Sequence, residues 1–164
     1  MVRHHHSVFK EGILAGSLGA LAVAVWFLVV DIANGHPLFT PSVLGQIIVQ
    51  GQTTPDVSQI KPDAVFLYTL FHLAAFIVFG WAVTKVVHLA VNLPIVRFGL
   101  VMLFVAFEVF FWAFTYIFLE GTHGLFPRGS ILIANTIAAV VMATYLWRRH
   151  PALKRALMHD PLGM

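Results

Sequence analysis

Four apolar stretches, at about 13–30, 64–83, 98–119 and 131–147, are separated by short polar connections, and they constrain this chain more than anything else in it. A hydrocarbon core about 30 Å thick holds no water to satisfy a free backbone amide, so a segment crosses it as helix, and about 20 apolar residues are enough. The expected fold is therefore all-α: a four-helix transmembrane bundle with helices at about 11–33, 63–89, 95–120 and 130–149. Little of the 164 residues lies outside these helices, and residues 1–164 are expected to form a single transmembrane domain without a soluble catalytic module.

Composition agrees with this class. The chain is 59% hydrophobic and only 10% charged, whereas a soluble domain carries about 25% charged residues. The first apolar run follows a basic start but continues through Trp26 to Val30, too long for a cleavable signal sequence with its core of about 7 to 15 residues. The adjacent His4, His5 and His6 resemble a shortened purification tag as much as a native basic arm, and no function is assigned to them. With no cysteine, an exported disulfide framework is excluded.

The basic residues set the expected orientation. Arg3, Lys10, Lys85, Arg97, Arg148, Arg149, Lys154 and Arg155 fall on one side of the four helices, and only Lys61 and Arg128 on the other. Positive-inside bias then places both termini in the cytoplasm of a bacterial inner membrane. The same distribution, along membrane flanks rather than in one patch, argues against a nucleic-acid partner. The expected partners are the lipid bilayer and either other membrane subunits or copies of this chain.

Helix one carries a stripe of small residues, Gly12, Gly16, Ala20 and Ala24, at every fourth position, which suits close backbone approach to another helix. Helix three is the reverse, lined by Phe104, Phe107, Phe110, Phe111, Trp112, Phe114 and Phe118. That is more aromatic bulk than a small bundle encloses, and some of it is expected to face lipid, a pigment or quinone, or another subunit.

Between helices one and two runs Asp31-Ile32-Ala33-Asn34-Gly35-His36-Pro37-Leu38-Phe39-Thr40-Pro41. Thr40 followed by Pro41 is a helix-start signal, the hydroxyl capping and the proline standing where no amide donor is needed, so a short interfacial helix is predicted at about 41–50. This Asp-x-x-x-Gly-x-Pro-Leu-x-Thr-Pro loop, with an Arg148-Arg149-His150 end after helix four, resembles uncharacterised small bacterial integral membrane proteins with four predicted helices. The resemblance covers most of the chain and implies a fold and a membrane setting, but no established activity.

Polar residues inside the membrane carry the functional reading. Glu108 lies roughly 18 Å below the boundary at Glu120, counting about 1.5 Å per helical residue. At that depth a bare charge is costly and marks pairing or a pathway. His72 reaches a neighbouring level on helix two, and a buried network of Glu108, His72, Tyr68, Thr115 and Asn135 is expected. Most polar residues, with Asp31, His36, Tyr116, Glu120 and His123, sort to the outer half, while the inner half offers little beyond Ser17, Thr84 and Thr144. A dead-ended outer pocket fits this better than a through-going channel, which needs a continuous polar line.

Glu120 and His123 have a Glu-x-x-His spacing, and with Asp31 and His36 they form the candidate metal set at the outer mouth. His72 is the candidate axial ligand for a haem or chlorin, and the remaining histidines, His88 and His150 among them, read as interfacial and solvated. The main expectation is a non-enzymatic structural or accessory subunit of a larger membrane complex or homo-oligomer. The alternatives are a redox-associated protein binding haem, chlorin, quinone or a metal ion in an outward-facing pocket, and a small proton-coupled carrier using Glu108.

Overall fold

A computed structural model describes residues 8–93, 96, 99, 102–103, 105–109, 113 and 128–151. Its elements are α1 (Val8–Ala33), α2 (Phe39–Leu44), a π-helical turn (Gly45–Val49), α3 (Pro62–Asn92) and α4 (Arg128–Arg149). Among the described residues three helices, α1, α3 and α4, are long and apolar enough to cross a membrane. The protein is thus an all-helical, multi-pass membrane protein.

α1 lies along both α3 and α4, while α3 and α4 touch each other little. Glu11 of α1 meets His88 of α3 and His150 after α4, so the start of α1 and the ends of α3 and α4 share one end of the bundle. Lys10, Lys85, Arg148 and Arg149 belong to this basic end. At the opposite end, Trp26 Nε1 donates to the Ser130 carbonyl at 3.0 Å, tying the beginning of α4 to α1. α3 therefore finishes at the basic end and α4 begins at the other. Between Asn92 and Arg128 the described residues 96, 99, 102–103, 105–109 and 113 are helical.

Small residues let α1 and α3 touch backbone to backbone. A Cβ on Gly12 would lie 2.7 Å from Trp81 Cα, one on Gly16 would collide with the Phe76 carbonyl, and one on Gly80 would strike the backbone of Gly12 and Gly16. Lipid tails are as apolar as leucine, so helices associate in a membrane largely through such packing. The stripe does not run straight to Ala24, which is exposed; Gly19, Ala20 and Val23 continue it. Each four-residue step advances about 40° beyond a full turn, which rotates Ala24 about 120° away from Gly12. The core continues through Phe76, Ala134, Ala138, Met142 and Leu146. Leu21, Val25, Val29, Phe66, Leu70, Phe71, Val78, Leu132 and Val140 stand exposed around it, an outer surface suited to lipid and not to water.

The end opposite the basic residues is closed by local polar ties. The buried Asp31 carboxylate accepts from the Thr40 amide at 2.8 Å and the Thr40 hydroxyl at 2.7 Å. Thr40 is thus not the helix cap expected from the sequence; α2 has begun at Phe39, and Asp31 reaches from the last turn of α1 to satisfy an amide of its first turn. Gln46, 1% exposed, donates to the Asp56 carbonyl and accepts from the Asp56 amide. Ser42 Oγ accepts from the Lys61 amide. Gly45 sits against Ala64, so close that a Cβ there would meet its backbone. These bonds hold α2, the π-turn and the 50–61 loop over the start of α3. Ser58, with Lys61 beside it, holds the Asp56 carboxyl well below the usual carboxylate range.

Candidate metal centre

The convergence at the basic end joins residues far apart in sequence. Glu11 stands in the first turn of α1, His88 in the last turns of α3, and His150 one residue past α4. His88 Nε2 lies 3.0 Å and His150 Nε2 3.1 Å from the same carboxylate oxygen, Glu11 Oε2. The two rings meet edge to face with centroids 4.6 Å apart. Glu11 is 4% and His150 8% exposed, and His88 is partly buried. The three donor atoms all lie within 4.8 Å of one another.

Local structure explains why these side chains meet. The Gly12, Gly16 and Gly80 contact draws α1 against α3 and brings Glu11 level with His88. The His150 amide still bonds the Leu146 carbonyl, so its ring is placed by the last turn of α4. A carboxylate taken out of water needs compensation, and the Nε2 atoms of two imidazoles stand within hydrogen-bond distance of it. The C-terminal ends of α3 and α4 carry partial negative charge, which adds to the carboxylate and favours a cation between the three side chains.

As a donor set, one carboxylate and two imidazoles suit borderline divalent transition ions such as zinc, iron, manganese or cobalt, and with no thiolate present they do not suit copper(I) or an iron–sulfur cluster. With bonds of about 2.1 Å, ligands at right angles stand about 3.0 Å apart and tetrahedral ones about 3.4 Å. The two edges at 3.0 and 3.1 Å are hydrogen-bond distances that a shared ion could also span.

The residues singled out from the sequence are distributed differently. Asp31 is engaged by Thr40, and the exposed His36 ring has its Nδ1 2.9 Å from the Asn34 carbonyl. Glu120, His123 and Thr115 lie outside the described residues. His72 Nε2 faces the Ala20 carbonyl of α1 at 3.3 Å and not Glu108, and its ring packs between Tyr68 and Phe76. That nitrogen is held in the α1–α3 contact, a poor position for an axial ligand. Asn135 Nδ2 donates to Glu108 Oε2 at 3.3 Å, and Glu108 Oε1 is buried without a hydrogen-bond partner among the described residues. Among the described residues Tyr68 and His72 of α3 stack on each other, with His72 facing α1, and Glu108 pairs with Asn135.

Glu11 was missed from the sequence, where it reads as one charge in a basic leader, and His88 and His150 read as solvated flank residues. Besides the polar residues expected in the outer half, the described residues form a Glu–His–His cluster at the other end. One signal pointed there: with alternating crossings, the start of helix one, the end of helix two and the end of helix four share a face, and each brings one metal-type donor to it.

Fold and site together define a helical integral membrane protein with a three-residue metal-type cluster at the basic end. No protein-family model, no curated protein and no solved structure matches the chain. The family indicated by the outer-loop motif is therefore not shown, and the coarser class stands.

Proposed function

We propose that this protein is a cofactor-binding integral membrane protein that holds a divalent transition-metal ion between Glu11, His88 and His150. The observation that carries this reading is the meeting of three metal-type donors, from three different helix ends, within 4.8 Å in a largely buried setting. It favours the cofactor-binding reading over a purely structural or accessory subunit, and a metal ion over haem, chlorin or quinone, since both imidazoles approach one point beside the carboxylate. A fourth span at about 95–120 would complete a four-helix bundle, a reading supported by α3 ending at the basic end and α4 beginning at the other. The excess of basic residues supports a cytoplasmic setting for this end, in a bacterial inner membrane.

A hydrogen-bonded clasp without metal is the competing account of the same contacts, and Glu11→Gln separates the two. The amide keeps an acceptor for the imidazoles but is a poor metal ligand. Metal analysis of the purified protein, followed by chelation and titration with zinc or cobalt, is expected to give one ion per chain in the wild type and loss of that ion in Glu11→Gln, His88→Ala and His150→Ala. A wild type that takes up no ion, or variants that bind like it, returns the cluster to a structural role.

A further inference from the structure

We propose that the basic end of the bundle binds the headgroup of an anionic phospholipid through Lys85 of α3 and Arg149 of α4, each held over an aromatic ring of its own helix. Lys85 Nζ stands 3.6 Å from the centroid of the Trp81 ring, and the Arg149 guanidinium carbon 5.8 Å from that of Tyr145. In both pairs the ring comes four residues before the cation, one turn back along the helix, and helical side chains lean in that direction. Trp81, Lys85 and Arg149 are exposed and Tyr145 is half-buried. The site does not depend on a metal ion.

The two pairs flank one junction. His88 and His150 bring the ends of α3 and α4 together with ring centroids 4.6 Å apart. Lys85 precedes His88 by three residues and Arg149 adjoins His150, so both cations belong to the rim of that junction. Its depth suits a headgroup, because Trp81 and Trp147 are both exposed at this end and tryptophan concentrates at the membrane–water interface. A lysine near a helix end ordinarily snorkels outward to water, whereas Lys85 is laid back over Trp81. A ring attracts a cation through its quadrupole but has no net charge, so both side chains keep their full charge for an anion. They also meet it already fixed in place, which lowers the ordering cost of binding. The Glu11 carboxylate nearby is turned to His88 and His150. Below Trp81 on the same face of α3, exposed Val78 continues the site with apolar surface for an acyl chain. Cations at the rim and apolar surface beneath them fit a ligand with an anionic head and hydrocarbon chains.

The test is native mass spectrometry of the full-length protein in an uncharged detergent with chelator present, titrated with phosphatidylglycerol or with phosphatidylcholine of the same chains. Phosphatidylglycerol is expected to remain as a one-to-one adduct at concentrations where phosphatidylcholine leaves none. Lys85→Gln and Arg149→Gln are each expected to weaken it several-fold, and Arg148→Gln, the same loss of charge one position away, to change it little. Trp81→Leu keeps every charge and is expected to weaken binding as well, while Lys85→Arg keeps the cation and the lipid. The changed side chains are exposed, so melting temperatures are expected to stay at the wild-type value. Equal retention of both lipids overturns the proposal. So does an equal loss in Lys85→Gln, Arg149→Gln and Arg148→Gln, which reduces the site to a diffuse basic flank, or wild-type binding in Trp81→Leu, which removes the ring.

Discussion

His150 and Glu11 stand 139 positions apart in the chain, yet their side chains meet at 3.1 Å. His88 joins the same carboxylate oxygen from a third helix end, so one contact point fixes the relative positions of α1, α3 and α4.

If the cluster holds a metal as proposed, its occupancy is expected to stabilise the bundle. An ion that binds only the folded protein raises its stability by about 2.7 kcal/mol at a hundredfold excess over Kd. The melting temperature in detergent is expected to rise with zinc and to fall back with chelator. His88→Ala and His150→Ala are expected to melt at the same temperature with and without zinc; a zinc response equal to that of the wild type in either variant excludes the cluster as the binding site.

Gly16→Leu and Gly80→Leu place side-chain atoms where α1 and α3 backbones already touch. The helices have to separate, and overpacking of this kind costs about 1–3 kcal/mol or more. Ala24→Leu, on the exposed continuation of the stripe, serves as the control. Thermal denaturation in detergent is expected to show large losses for the first two and little change for the third; equal behaviour of all three contradicts the helix contact.

Glu108→Gln keeps an acceptor for Asn135 Nδ2 and adds donors beside the buried Oε1. A change in stability on the order of 1 kcal/mol or less is expected. Asn135→Leu removes the donor to a buried carboxylate and is expected to cost about 1–3 kcal/mol. Thermal melts that rank the two variants in the opposite order remove the Glu108 and Asn135 pair from the account.

The 50–61 loop carries an acid-resistant tie. Hydrogen bonds from Ser58 and the neighbouring Lys61 depress the Asp56 carboxyl in the folded protein. A depressed carboxyl contributes stability above its unfolded value, and that contribution is lost only as pH falls through the lower folded value. Protection of the Ser58 amide, which donates to Asp56 Oδ1 at 2.9 Å, is expected to persist at pH 4 as at pH 7. Asp56→Asn is expected to lose it at both; loss of protection in the wild type at pH 4 shows that the tie titrates as an ordinary aspartate.

The class of protein is legible in composition and run length, because a run of apolar residues longer than a membrane is thick has one stable conformation there, a helix that satisfies its own backbone. The sequence also exposed the small residues of α1, since four-residue spacing is a local property of one helix. Where the polar residues go depends on how the helices pack. Asp31 turned to Thr40, a partner nine residues away across a turn, and His72 to a backbone carbonyl of α1 that leaves no trace in the sequence as an acceptor. Glu11, His88 and His150 became a single site because three helix ends were brought level by packing along their whole length. Which side chains share a point is set by helix rotation and vertical register, and these depend on contacts such as Gly16 on Phe76 that no single segment contains.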